Sequence, residues 1–254
     1  MDKSSMPRRH AATARLEQLL RPETTAVPST AGYLDTMPGE VVPPPGRAQA
    51  AWQNRFGSAA WQRIQRVMAA SFVPGYRRVA DQLRLRPGQT VVDVGCGPGN
   101  VTVRLAEAVG DDGLAVGVDL SGPMLELAAR QARPNMGLLR ADATGIPLRD
   151  HCAEAACATA VVMLVPEPVE ALAEMVRIVV PGGWLLVMVP CRPVGRLAAL
   201  TGPLVDATSR FGGARMFTPD ELQGLLERLG CEQVGSEVTF NMLTVYARTA
   251  DESA

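Results

Sequence analysis

The chain has 254 residues, 25 basic and 26 acidic side chains, a formal charge of -1, 47% apolar residues, five cysteines and two histidines. That length suits one sizeable α/β domain with an appendage, and the apolar content excludes a disordered chain. The charge balance gives no sequence-wide attraction to phosphate backbones, so a nucleic-acid partner is not expected.

No apolar run reaches the roughly 18 residues of a membrane-spanning helix, because the stretches 155–165 and 184–189 stop at Pro166 and Pro190. The opening MDKSSMPRRHAATARLEQLL is charged and lacks the apolar core of a secretory signal. A cytoplasmic protein is therefore expected. Cys96, Cys152, Cys157, Cys191 and Cys231 are odd in number and contain no Cys-x-x-Cys pair, which predicts free thiols and no metal site.

Residues 1–48 hold seven of the 20 prolines and are expected to form an extended arm with one short helix at 13–20. From 49 to 84, apolar residues at three- and four-residue steps (Trp52, Phe56, Ala59, Ile64, Val67) predict a helical cap segment. Apolar strands are then expected at 90–94, 114–118, 137–139, 155–162 and 184–189, alternating with helices near 101–109, 123–132 and 168–179. Such strands separated by helices imply a doubly wound parallel sheet covered on both faces. Near the end, Thr218, Pro219 and Glu221 read as a capping box opening a helix that Gly230 stops. Strands at 232–239 and 242–247 follow, with a connection so short that they can only form an antiparallel hairpin.

The first strand runs into Asp93-Val94-Gly95-Cys96-Gly97-Pro98-Gly99-Asn100 and then a helix. Glycines at alternate positions let the backbone turn tightly and approach a ligand, and the helix N-terminus behind them offers free N–H groups. A dinucleotide fingerprint would need glycine at position 100, which is asparagine here. Asp119 lies 26 residues after Asp93, and Asp142 another 23 on, each interval being about one βα unit. All three acids should therefore emerge at the carboxyl edge of the sheet, where a carboxylate can accept both protons of a ribose diol.

These residues resemble the class I S-adenosylmethionine-dependent methyltransferases, through VVDVGCGPGN, VGVDLSGPMLELA, RADATGIPLRD, LVPEPVEALAEMVRIVVPGGWLLV and the terminal hairpin. The resemblance covers about 82–248 and is closest to the subgroup that methylates quinones, sterols and other small acceptors. It implies a Rossmann-like seven-stranded sheet with its last strand reversed, a cofactor domain over 85–254, and S-adenosyl-L-methionine as cofactor. Carried over to this sequence, it puts Asp93 near the cofactor's amino group and sulfonium, and Gly95, Cys96, Gly97 and Gly99 along its methionine part. Asp119 would hold the ribose, Leu120 and Met124 would pack on adenine, and Asp142 and Ala143 would bond it. Thr159 and Ala160 would border the methionine part and the acceptor.

The implied activity is methylation of a small apolar or aromatic acceptor, at oxygen or carbon, by in-line displacement with proximity as the main effect. The alternative is a non-catalytic S-adenosylmethionine-binding or interaction protein. It is suggested by the missing histidine before the Pro166 stretch, where Met163 and Leu164 stand. The candidate general bases are His151, Tyr33 and Tyr76. Residues 191–216, rich in glycine and proline, are expected to form a lid over a small-molecule site. A homodimer is compatible with the sequence.

Overall fold

The structure, a computed structural model, describes residues 5–40, 78–191, 215–239 and 242–251, with side chains from residue 11 onward. Residues 41–48 of the expected arm, residues 49–77 of the expected cap segment at 49–84, Tyr76 among them, and residues 192–214 of the expected lid lie outside the described residues. The elements are α1 (Ser5–Leu19), β1 (Val27–Pro28), β2 (Leu34–Asp35), α2 (Val79–Gln82), β3 (Thr90–Val94) and α3 (Asn100–Val109). There follow β4 (Leu114–Asp119), α4 (Gly122–Gln131), β5 (Met136–Arg140), β6 (Ala153–Thr159), a 3-10 turn (Val162–Leu164) and α5 (Pro168–Ile178). The chain continues through β7 (Val179–Pro190), α6 (Pro219–Arg228), β8 (Cys231–Thr239) and β9 (Met242–Thr249).

The described strands form one sheet in the order β1-β2-β5-β4-β3-β6-β7-β9-β8. The five strands from β5 to β7 are parallel, and β9 runs antiparallel between β7 and β8. The expected doubly wound sheet and terminal hairpin are thus present, but the sheet has nine strands where seven were expected. The extra two are the two-residue strands β1 and β2, which the arm adds beyond β5. An exposed edge strand presents unpaired N–H and C=O groups, and β2 covers that edge of β5.

The period-2 alternation of a strand sends successive side chains to opposite faces. Val92 and Val94 pack on one side with Leu172 of α5 and Leu222 of α6, while Val91 packs on the other with Leu105 of α3 and Leu125 of α4. The arm is more ordered than its prolines suggest. Ala12 and Leu16 of α1, and Leu20 just after it, are buried at four-residue steps in the first of these cores, and Leu16 sits so close to β5 that a Cβ at Gly137 would stand 3.0 Å from it. The expected helix at 13–20 is longer at its start and ends one residue earlier.

Two other expectations shift. The fourth apolar run leaves the sheet at Thr159, because Ala160 adopts a left-handed backbone (φ 58°) and the chain turns into the 3-10 segment. The fifth apolar run, expected at 184–189, begins at Val179 and takes in Pro181-Gly182-Gly183, where the pairing of Ala153 with Val179 and of Ala155 with Trp184 leaves the extra residues of β7 as a bulge. At the C-terminal helix, Thr218 caps as expected, its hydroxyl accepting from the Glu221 amide at 3.2 Å.

Candidate active site

Because β3 connects outward to β4 on one side and has β6 on the other, the strand order reverses beside β3, and the crevice at that switch point is where open α/β sheets bind ligands. Val94 is level with Val118 and with Ala158, and Asp119 is level with Arg140. The loops leaving β3, β4, β5 and β6 therefore emerge side by side, and they carry nearly all the expected cofactor residues.

The glycine loop is tied down by its own amides. Gly95 and Cys96 both donate to the Val118 carbonyl, at 2.8 and 3.0 Å, and Gly99 donates to the Cys96 carbonyl at 3.0 Å. The glycines serve different purposes. A Cβ at Gly95 would collide with the Val161 side chain, and one at Gly99 would stand 3.0 Å from Ala128 of α4, so both are small because the protein itself packs there. At Gly97, with φ 53°, a Cβ would meet nothing within 4 Å. Of the three glycines, only this one has no described residue in front of it, which narrows the expected close approach of a ligand to one of the three positions.

Asp93 does not line the crevice. It is fully buried, accepting from the Thr102 hydroxyl at 2.6 Å and from the Cys157 thiol at 3.5 Å, and it also takes the Thr102 backbone N–H at the start of α3. Burial pushes its pKa up to about 6 against those hydrogen bonds. Asp93 thus holds the first turn of α3 from beneath. Cys96 is likewise buried, its thiol donating to the Gly97 carbonyl at 3.6 Å, and burial raises it well above the ordinary thiol range. It offers the crevice its main chain alone.

Asp119 sits at the end of β4 with its carboxylate between two loops: one oxygen accepts from the Gly97 amide at 2.7 Å and the other from the Ser121 amide at 2.8 Å. Burial raises its pKa, and the two amides partly offset that. Ser121 then caps α4 by accepting from the Met124 amide at 3.3 Å. Leu120 is half-buried and Met124 buried beside this turn. Asp142 opens a turn after β5, one oxygen accepting from the Thr144 amide at 2.9 Å and its hydroxyl at 2.8 Å, with Ala143 half-buried next to it. The Ala141 amide donates to the Asp119 carbonyl at 3.2 Å and joins the two loops. Thr159 and Ala160 are half-buried at the end of β6, where the Ala160 amide donates to the Met188 carbonyl at 2.7 Å.

The three proposed bases fare differently. His151 precedes β6 at the amino edge of the sheet, with its amide on the Arg177 carbonyl, so the whole length of a seven-residue strand, about 23 Å, separates it from the crevice. Tyr33 stands at the arm, its hydroxyl 3.1 Å from where a Cβ on Gly122 would be, beside the start of α4 rather than near β6. Tyr76 is outside the described residues. The far end of the expected lid is anchored at the carboxyl edge, since the Arg215 amide donates to the Met163 carbonyl at 2.8 Å. The charge of Arg215 is already paired with Glu221 and stacked on Phe217.

Sequence reasoning missed Gln131, whose side-chain amide donates to the Pro98 carbonyl, and Arg140, which bonds the Leu120 carbonyl. Gln131 lies outside the quoted motifs, and Arg140 opens one of them without a role that its position gives away; their partners lie 33 and 20 residues away.

A family described as "Methyltransferase domain" matches residues 92–187, spanning the glycine loop, the Asp119 turn and the Asp142 turn. Residues 92–187 thus form a methyltransferase domain. A demethylmenaquinone methyltransferase of Desulfitobacterium hafniense is 30% identical over 157 residues, covering 58% of this chain and 62% of that protein. An uncharacterized 37.1 kDa protein in transposon TN4556 of Streptomyces fradiae is 38% identical over 112 residues, covering 43% and 32% respectively. The chain thus spans less than two thirds of the length of either relative. A solved S-adenosylmethionine-dependent methyltransferase from Aquifex aeolicus matches 69% of this chain and 90% of its own, with a TM-score of 0.56 at 22% identity, a likeness of fold.

The cofactor that the family resemblance implies is S-adenosylmethionine. The crevice fits it: Gly97 leaves room for a ligand against the main chain, and Asp119 stands one strand over at the edge of that room, in position to hold a diol. Among the described residues, no group of three or more histidine, cysteine or acidic side chains could hold a metal, and no helix is long and apolar enough to cross a membrane.

Proposed function

We propose that the protein transfers a methyl group from S-adenosylmethionine to a small apolar or aromatic acceptor of quinone type. The observation that carries this reading is the pairing of the open position at Gly97 with the Asp119 carboxylate, within a chain whose relatives include demethylmenaquinone methyltransferases. In this reading Asp119 holds the ribose, Leu120 and Met124 flank the adenine, and Asp142 and Ala143 bond its edge. Gly97 with the main chain of Cys96 lies along the methionine part, and Thr159 and Ala160 border the acceptor. Residues 1–48 and 49–84 act as arm and cap beside this domain.

The cofactor supplies a methyl group on a sulfonium, which is a leaving group as it stands. The protein's share of the work is to hold the acceptor atom in line behind that methyl group, an orientation effect worth as much as about 7 to 11 kcal/mol. Bound against Gly97 and Asp119, the cofactor would supply the methyl group, its sulfur–carbon bond breaking as the acceptor's bond to the methyl carbon forms, and any acceptor proton would leave to solvent or to a base. With His151 at the far edge of the sheet, the reading favours an acceptor that ionises readily or attacks through an activated carbon.

The test is calorimetric titration with S-adenosylmethionine, S-adenosylhomocysteine and NAD, followed by labelled-methyl transfer to demethylated quinones, phenols and lipids. Micromolar binding of the first two and label in a quinone would support the reading. Preferential NAD binding would overturn it, and cofactor binding with no label in any acceptor would favour a binding protein.

A further inference from the structure

We infer that Arg140 is a positioning residue for cofactor binding, orienting the Asp119 carboxylate through a single peptide plane and coupling it to the N-terminal arm. The inference rests on the reading of Asp119 as the ribose ligand.

Arg140 ends β5, and its guanidinium is fully engaged. The Nε donates to the Leu120 carbonyl at 3.2 Å; one terminal nitrogen reaches both Asp35 oxygens, at 3.3 and 3.1 Å, and the Met37 carbonyl at 2.9 Å; the other donates to the Glu40 carbonyl at 2.9 Å. The side chains of Arg140 and Asp35 are 15% and 17% exposed, so this pair is more shielded than an ordinary surface ion pair. The arm is held by main chain as well. Asp35 pairs with Arg140 across the sheet, and the Thr36 hydroxyl donates to the Arg140 carbonyl at 2.7 Å.

The Leu120 carbonyl and the Ser121 N–H belong to the same peptide unit, which is planar. Arg140 holds the oxygen of that unit, while its N–H donates to Asp119 at 2.8 Å. Fixing one end of the plane aims the other. The opposite oxygen of Asp119 takes the Gly97 amide, so the orientation set by Arg140 passes through the carboxylate to the one loop glycine with no described residue in front of it. Lysine could keep the charge opposite Asp35, but a single ammonium lacks the planar fork that reaches the arm and Leu120 together.

The experiment is a double-mutant cycle read by calorimetric titration of the full chain with S-adenosylhomocysteine. Arg140→Gln should weaken binding about tenfold in the unmodified background, the scale of one lost charge-assisted hydrogen bond. In an Asp119→Asn background it should weaken binding less than about twofold, because the group it orients is already compromised. Asp35→Asn should show the same dependence on Asp119 with a smaller loss, and covers the case in which Arg140→Gln does not fold. Arg140→Lys should fail to restore affinity. Hydrogen exchange at the Ser121 amide should accelerate in Arg140→Gln while the core strands stay protected. Equal losses in both backgrounds, or no loss, would overturn the inference while leaving the family reading in place. Absence of binding by the unmodified chain would overturn both.

Discussion

The Asp119 carboxylate accepts the amide of Gly97 at 2.7 Å, which ties the end of β4 to the tip of the loop after β3, 22 residues earlier. A half-buried carboxylate is costly unless its oxygens are satisfied, and here each oxygen accepts one main-chain amide. The same pairing shapes the crevice, since it fixes the acid beside the only loop glycine with no described residue in front of it.

Exchanging the glycines for alanine should separate binding from folding. Gly97→Ala meets no atom of the described residues within 4 Å, so its cost in stability is that of the positive φ, about 1 to 2 kcal/mol. Its methyl group enters the crevice, and S-adenosylmethionine affinity should fall at least about tenfold, a change of ~1.4 kcal/mol. Gly95→Ala drives a methyl group into Val161 and should lose about 2 to 5 kcal/mol of stability. Urea denaturation with calorimetric titration distinguishes the two, and equal loss of stability in both variants would refute the assignment.

Asp119→Ala removes a ribose ligand and also strands the Gly97 and Ser121 amides. Cofactor affinity should drop by at least about tenfold, with a stability cost of about 1 to 3 kcal/mol from the unpaired donors. Titration showing unchanged affinity would mean that Asp119 does not hold the ribose.

The pH dependence of stability follows from Asp93. Its folded pKa, about 6, lies above the ordinary 3.8, so the folded state binds the proton more tightly than the unfolded chain. That contribution is complete below about pH 4 and is lost as pH rises through 6, amounting to ~3 kcal/mol. Asp119, also raised by burial, acts in the same direction. Urea midpoints between pH 4 and 7 should show a steeper decline for the native sequence than for Asp93→Asn; parallel curves would count against the burial of this charge.

Leu16→Ala tests whether the arm belongs to the core. Leu16 is fully buried against Gly137, so truncation should cost about 2 to 5 kcal/mol in chemical denaturation. A loss below about 0.5 kcal/mol would mean that α1 rests loosely on the sheet.

How far the sequence could be read differs along the chain. β3 and the α6 cap were readable to the residue, because an apolar run bounded by turn glycines and a Thr-Pro-x-Glu start are local signals. The three acids could be placed at one edge because βα units have nearly constant length. The role of Asp93 could not be read: its letter sits in the same motif whether it faces a ligand or, as here, turns inward to Thr102 and Cys157. His151 could have been set aside from the sequence, since a residue that precedes a parallel strand lies at the amino edge, opposite the edge where the three acids emerge.

The order of residues alone determined the layered fold, the reversed last strand and the loop that a ligand approaches, since each rests on spacing within a few residues or on one βα repeat. Tertiary structure decided that, of the three loop glycines, only Gly97 has no described residue in front of it, that Asp93 serves the interior, and that the arm adds two strands and a guanidinium-held contact to the edge at β5. Those outcomes depend on contacts between residues such as Val161 and Gly95, or Asp35 and Arg140, whose separation along the chain leaves no periodic trace; only the packing of the strands brings them together.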